Sequence, residues 1–327
     1  MRSAFLSFAL TAVIGLAGCS SAPLTAPADK SLTVPAARPP AGMRLSALST
    51  GRMYSRAAFA FKGGRFDDER VFTAGGILVQ HPRGILLFDA GFGPGVAAHR
   101  ETSPWLLRVT TRYDRQTSVA DQLTAAGIAP SSLTAVILTH AHWDHVSGLE
   151  TLPRTPVWVT GDELAFVRGG DASTALARRL GTSRYVAFDF PDGPYLGFPR
   201  SRDLFGDGSV VLVPAPGHTP GSIVAFVATP DGKRYALIGD MAWQREGVEL
   251  PAEKPWIVRR VDTDRAETRA MLVRLHQIRT AMPDLIIVPA HDSRVWASLP
   301  RLTASPGGAP SPGDSGGGSG RSEIAGN

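Results

Sequence analysis

The chain has 327 residues, of which 43% are hydrophobic and 19% charged. It is too apolar and too weakly charged for disorder throughout, and long enough for one large layered domain or two smaller ones. Its formal charge of +5 comes with arginines scattered singly or in short pairs such as Arg178-Arg179 and Arg259-Arg260, with no basic stripe interleaved with aromatics, which argues against a nucleic-acid partner. One cysteine, Cys19, excludes an intrachain disulfide framework and any cysteine-rich zinc site.

At the N-terminus, Arg2 precedes a nearly uncharged apolar run from Ala4 to Ala17. This reads as an export signal, because it is shorter than the roughly 20 residues that span a bilayer comfortably. Its end, Leu16-Ala17-Gly18-Cys19, resembles the lipobox of bacterial lipoproteins. That resemblance implies removal of residues 1–18 and lipid on Cys19, which would anchor the chain to a membrane without a spanning helix. Ser20 after the cysteine implies the outer membrane, facing the periplasm. Ordinary cleavage near Ser20-Ser21-Ala22 is the alternative and would release a soluble periplasmic or secreted protein. Residues 19–42, rich in Pro, Ala and Ser, read as a tether. The folded body is expected over 43–303, and the Gly/Ser/Pro-rich tail 304–327 is expected to be disordered.

Within the body, short apolar runs alternate with helical patterns. Strands are expected at Gly76–Gln80, Gly84–Asp89, Leu133–Thr139, Pro156–Thr160, Val210–Val213, Ile223–Ala228, Arg234–Gly239 and Leu285–Pro289. A helix is expected from Ser118, with Asp121 completing a capping box, to Ala126 before Gly127. Another runs from about Asp264 to Ala281, with Met271, Leu275, Ile278 and Met282 as its apolar stripe and Pro283 as its stop. Alternation of this kind points to a layered α/β fold.

The chemistry starts at Thr139-His140-Ala141-His142-Trp143-Asp144-His145, directly after the apolar strand Leu133–Leu138. Four nitrogen or oxygen donors this close can converge if the backbone turns sharply, and imidazole with carboxylate suits zinc, iron or manganese. Four further polar residues share one placement. Asp89, His218, Asp240 and His291 each follow an apolar strand, and the carboxyl ends of strands are where α/β sheets gather functional groups. Asp89 reads equally as a plain strand-ending aspartate. His81, His99 and His276 have no motif partners and read as structural or surface residues.

In this order, Phe88-Asp89-Ala90-Gly91, His140/His142/Asp144/His145, Gly217-His218, Gly239-Asp240 and His291-Asp292 resemble the metallo-β-lactamase-fold hydrolase superfamily over roughly residues 70–295. The resemblance implies a four-layer αββα sandwich with two divalent metals, most readily Zn2+, between the sheet edges. It implies that His140, His142 and His218 hold one metal, that Asp144, His145 and His291 hold the other, and that Asp240 bridges them. Asp89 would orient a ligand from behind. The implied reaction is hydrolysis by an acidified water, with Asp144 and Asp240 as the catalytic carboxylates and no serine or cysteine nucleophile. No Gly-x-Ser-x-Gly elbow is present.

The context of His218 and His291 is similar to lactonases and related esterases, which makes a small ester or lactone the expected substrate. Thioesters, β-lactams and phosphotriesters are the alternative, and a metal-binding lipoprotein without turnover is a third reading. Asp240 argues against a true β-lactamase. Trp243 stands where those lactonases often carry a Tyr three residues after the bridging Asp, and an indole N–H donates but cannot accept. Two long connections, 92–115 with Trp105 and 161–207 with Phe188, are expected to wall an apolar pocket that Trp243 also faces. The same aromatics could instead pack the insertions onto the body. The sequence leaves oligomeric state open.

Overall fold

The computed structural model describes residues 23–27, 29 and 32–303. The N-terminal half supplies β1 (Arg44–Arg56), β2 (Glu69–His81), β3 (Gly84–Phe88), β4 (Arg112–Arg115), β5 (Ala135–Ile137), β6 (Val157–Thr160) and β7 (Tyr185–Phe188). The C-terminal half supplies β8 (Arg202–Asp203), β9 (Val210–Pro214), β10 (Ile223–Ala228), β11 (Arg234–Gly239) and β12 (Leu285–Pro289). They form a seven-stranded sheet in the order β4-β1-β2-β3-β5-β6-β7 and a five-stranded sheet in the order β12-β11-β10-β9-β8. β3, β5, β6 and β7 run parallel, and so do β11 and β12, which brings their carboxyl ends to one edge.

Strand alternation explains the layering. Leu86, Phe88, Ala135 and Ile137 point inward from the first sheet and meet Leu212, Ile223, Ala225, Val227 and Leu237 of the second. Their neighbours Leu87 and Val136 point outward and pack with Leu123, Leu149, Val167 and Leu176, from the helices and turns that cover the first sheet. Val213, Val224, Phe226, Ala236 and Ile238 face Leu272, Leu275 and Ile278 of the long helix Arg265–Ala281 on the second. The result is helix, sheet, sheet, helix, as the resemblance implied.

Eight strands lie where apolar runs place them. β1 escapes sequence reading because its alternation is interrupted, with a register shift against β2 between Ser49 and Gly51. β4, β7 and β8 are short edge strands; β4 and β8 have no apolar run, and the apolar β7 is only four residues long, inside a long connection. Both expected helices form. Ser118 accepts from the Asp121 backbone N–H, and Asp264 caps the long helix through Glu267 N–H. That helix is rotated slightly from the expected stripe: Thr268 and Leu272 are buried with Leu275 and Ile278, while Met271 is only partly buried. At its first turn Gly217 packs so close that a Cβ there would sit 2.4 Å from Thr268 N.

The described part of the expected tether does not hang free. Leu24 and Leu32 pack on the outer cluster of the second sheet. Leu24 N–H donates to Pro251 O (3.0 Å), Gln277 Nε2 to Pro27 O (2.8 Å) and Arg38 N–H to Asp207 O (2.7 Å). Its prolines lack an N–H, so the segment is held by the N–H groups of its other residues and by its carbonyls. The expected signal with Cys19 and the tail 304–327 lie outside the described residues. Among the described residues, no helix is long and apolar enough to cross a membrane.

Ile137 is fully buried between the sheets, at the end of β5 and three residues before His140. Ile137→Ala is expected to lower the free energy of unfolding in urea by about 2–5 kcal/mol. Val186→Ala, at a half-exposed position of β7, should shift it by less than about 0.5 kcal/mol.

Candidate metal centre

Every strand that contributes to the site ends where a turn begins. His140 follows β5, and His142 occupies the N-cap position of the short helix Trp143–Val146, which carries Asp144 and His145. His218 follows β9, Asp240 follows β11 and His291 follows β12. The structure brings all seven of these side chains together and buries them. His218 Nε2 lies 3.2 Å from His140 Nε2 and 3.0 Å from His142 Nδ1. On the other side, His291 Nε2 lies 3.3 Å from Asp144 Oδ2. Asp240 stands between the two groups. Its Oδ2 is 3.6 Å from His218 Nε2, and its Oδ1 is 3.1 Å from His291 Nε2 and 3.4 Å from His145 Nε2.

The outward partners of the imidazoles fix which nitrogen carries the proton. His291 Nδ1 donates to the Thr73 carbonyl (2.7 Å), so Nε2 is the nitrogen that faces inward and that presents a lone pair when the ring is neutral. His145 Nδ1 lies 2.9 Å from Asp89 Oδ2 and His218 Nδ1 lies 2.8 Å from Asp262 Oδ1, and a carboxylate can only accept. The Thr139 hydroxyl donates to Asp89 Oδ2 (2.8 Å) and so accepts from His140 Nδ1, 3.2 Å away. Four rings therefore aim Nε2 inward. His145 Nε2 and Asp240 Oδ1 are buried there without a hydrogen-bond partner in the protein, as is the outer nitrogen of His142. Inward lone pairs, carboxylate oxygens and orphaned buried atoms fit divalent cations. His140, His142 and His218 form one group that could hold a metal, and Asp144, His145 and His291 form another.

The charge balance has the same cause. Burial keeps His142 neutral, down at about 3, with neighbouring imidazoles adding to the effect, and it lowers His140 and His218. Burial opposes charge on His291 as well, but Asp240 and Asp144 overcome it and push that imidazole up to about 10. Asp240 is held well below the carboxylate range because His291 and His145 outweigh its burial. The pocket demands positive charge beside its carboxylates.

A supporting set of side chains holds this arrangement. Asp89 takes a left-handed backbone (φ 59°) and accepts from Thr139 N–H (2.8 Å) as well as from His145 and the Thr139 hydroxyl, which ties the end of β3 to the end of β5. Sequence reading does not single out Glu163, Asp262 or Lys254. The Glu163 carboxylate accepts from Ala141 N–H (2.7 Å), Thr219 Oγ1 (2.6 Å) and Gly221 N–H (3.2 Å), and so joins the His140–His142 turn to the His218 loop. Gly221 permits this, since a Cβ there would lie 2.1 Å from Glu163 N. The available signal is Thr160-Gly161-Asp162-Glu163, a capping-box pattern of which only half forms. Thr160 Oγ1 accepts from Glu163 N–H (3.1 Å), while the carboxylate turns to the site. Asp262 and Lys254 come from a polar segment that gives no such signal.

The pocket above the site is walled by Met53, Phe59, Phe72, Leu107, Trp143 and Val261, with Asp144, Asp240 and His291 among its lining residues. The connection 92–115 contributes as expected, through Arg100, Thr102, Ser103, Pro104, Leu107 and Thr111. Trp105 itself is not among the lining residues and is 67% exposed. Phe188 is not at the pocket either. It lies on β7, edge to face with Phe190, and packs against the core between the sheets. The insertion 161–207 adds only Asp171 and Ser173, since Tyr185 and Phe198 are core and Phe205 stacks on His81. Trp243 does line the pocket, but its indole N–H donates to Asp240 Oδ2 (2.8 Å). His99 is bound to Ser147 and His276 to the Val248 carbonyl, outside the cluster.

Burial pushes Glu163 up to about 7. A folded pKa above the unfolded one gives stability that is complete below about pH 4.5 and fades as pH rises toward 7. In metal-free protein, the unfolding free energy of wild type relative to Glu163→Gln is expected to fall by up to about 3 kcal/mol between pH 4.5 and 7.5. Parallel stability curves in urea titrations across that window would show that the carboxyl ionises without hindrance.

Comparison with known proteins gives the same picture. Residues 76–291 match the Metallo-beta-lactamase superfamily. A probable metallo-hydrolase of Mycobacterium tuberculosis is 32% identical over 253 residues, which cover 70% of this chain and 77% of that protein. The N-acyl homoserine lactonase AttM of Agrobacterium fabrum is 26% identical over 232 residues, covering 68% of this chain and 82% of the relative. Among solved structures, an N-acyl homoserine lactone hydrolase with N-hexanoyl-L-homoserine at its catalytic metal center superposes with a TM-score of 0.62 at 17% identity, over 79% of this chain and 96% of the other. Fold, ligand-like cluster and family match agree: the chain belongs to the metallo-beta-lactamase superfamily and is a metallo-hydrolase of that fold.

Proposed function

We propose that this metallo-hydrolase cleaves a small ester or lactone, using two divalent cations, zinc first among the candidates, held by His140, His142 and His218 on one side and Asp144, His145 and His291 on the other, with Asp240 between. The observation that carries this reading is the opposed pair of donor groups around Asp240 at the floor of an apolar-walled pocket. When bound, such cations supply Lewis acidity, which makes a water acidic near neutral pH and polarises a carbonyl. The chain's own residues do the rest. Met53, Phe59, Phe72, Leu107 and Val261 exclude water and accept an apolar acyl part. Asp144 lines the pocket and is held ionised, with His291 and His145 overcoming its burial, so it can take up a proton and return it to the departing alkoxide.

A serine mechanism has no support in the pocket. Ser103 Oγ donates to Arg100 O (2.8 Å), Ser55 Oγ to Thr110 O (3.3 Å) and Ser173 Oγ to Asp171 Oδ1 (2.7 Å), so none is paired with a histidine base. The ester or lactone assignment is favoured by the lactonase relatives and by the apolar wall. The proposed setting is extracytoplasmic, on the strength of the Leu16–Cys19 motif and the apolar run before it.

Zinc-loaded protein is expected to carry two metals per chain by mass spectrometry of metals, and to hydrolyse acyl lactones or aryl esters faster than thioesters, β-lactams or phosphotriesters. A panel in which phosphotriesters or β-lactams lead would reassign the substrate. His142→Ala and Asp240→Ala should each cut turnover by orders of magnitude with an unchanged circular dichroism spectrum, and full activity in either would remove the mechanism. In an expressing bacterium, incorporation of labelled fatty acid should depend on Cys19 and vanish in Cys19→Ala.

A further inference from the structure

Lys254 is a charged side chain in a place that charged side chains avoid. It is 2% exposed, and no substrate contact or role in the reaction described above accounts for it. Its ammonium donates to Asp262 Oδ1 (2.7 Å) and to the Asp240 backbone carbonyl (2.7 Å), and lies 5.6 Å from the centre of the Trp243 ring. The Asp262 oxygen that receives Lys254 is the one that faces His218 Nδ1 at 2.8 Å. The Trp243 indole in turn donates to Asp240 Oδ2 (2.8 Å). One polar segment after β11 thus reaches two different loops, the one after β9 that carries His218 and the one after β11 that carries Asp240.

These contacts fall on one side of the site. Asp262 touches His218, whose Nε2 faces His140 and His142, and Trp243 touches the Asp240 oxygen on that same side. Nothing from the Lys254 group reaches His145 or His291, whose outward nitrogens are held by Asp89 and by the Thr73 carbonyl. The cost of burying an ammonium is offset only if its partners are well placed, and here one partner, the Asp240 carbonyl, belongs to a ligand-bearing loop and the other, Asp262, holds His218. We infer that Lys254 and Asp262 are positioning residues, a buried clamp that acts mainly through the His218 ring, and so mainly on the metal held by His140, His142 and His218, while anchoring the backbone of the shared Asp240.

The inference rests on the two-metal reading proposed above, and its test separates the two. Metal-free wild type, Lys254→Met, Asp262→Asn and the double variant are titrated with Zn2+ against a chromophoric chelator, and their Co2+ forms are compared by visible absorption. Each single variant is expected to weaken one of two binding steps by about 10–100-fold, leave the other within about twofold, and alter part of the cobalt spectrum. The double variant should be no worse than Asp262→Asn, because the two residues act as a unit. If Lys254→Met does not fold, Lys254→Gln, which still donates, should bind with an intermediate affinity. Equal weakening of both steps, or a fall in melting temperature with unchanged zinc affinity and cobalt spectrum, overturns the clamp. Wild type that binds no zinc overturns the metallo-hydrolase site itself rather than the clamp.

Discussion

Five imidazoles and two carboxylates share one buried space, and the direction of their lone pairs governs everything else. An imidazole offers a donor on one side and an acceptor on the other, so whatever grips the outer nitrogen decides what the inner one can do. Here a backbone carbonyl, two carboxylates and a threonine hydroxyl grip the outer faces of four rings. The inner faces are left as acceptors in the neutral rings, with the side chains buried. Such a cluster is electrostatically incomplete by itself, as the upward push on His291 and the downward push on Asp240 show. Cations complete it.

The fold exists to meet this constraint. Parallel strands β3, β5, β6 and β7 deliver Asp89 and the His140 turn to one edge, and β9, β11 and β12 deliver His218, Asp240 and His291 to the facing edge of the second sheet. The apolar layer between the sheets, centred on residues such as Phe88, Ile137, Leu212 and Leu237, keeps the two edges in register. Glu163 then ties loop to loop across the gap, at the expense of placing a carboxylate where burial pushes it up to about 7. Precision at the centre is obtained by polar groups one layer out, each of them costly to bury and each held by hydrogen bonds.

The pocket is assembled differently from the site. Its wall comes mainly from β1, β2, the 92–115 connection and the segment near Val261, elements far apart in the chain. Aromatic content in a long insertion does not predict pocket lining. Phe188, Tyr185 and Phe198 serve the core, because an insertion that adds a strand to the sheet must bury the side chains facing inward. Trp243 lines the pocket but commits its only donor to Asp240, which makes it part of the support for the site as much as of the wall above it.

The sequence by itself determined the layered α/β class, the apolar strands and the placement of polar residues at their carboxyl ends, because those signals are local: a run of aliphatic side chains followed by a turn is legible without knowing what lies opposite. His140, His142, Asp144 and His145 were legible as a unit for the same reason. Only the tertiary structure decided that Asp262 stands behind His218, that Lys254 is buried beside it, that Glu163 leaves its helix cap for the site, and that Trp105 and Phe188 lie off the pocket lining. A charged residue in a polar segment reads as surface until a distant loop closes over it, and an aromatic ring reads as wall or core only once its strand has a neighbour. Those outcomes depend on contacts between residues far apart in the chain, and no periodicity or spacing encodes them.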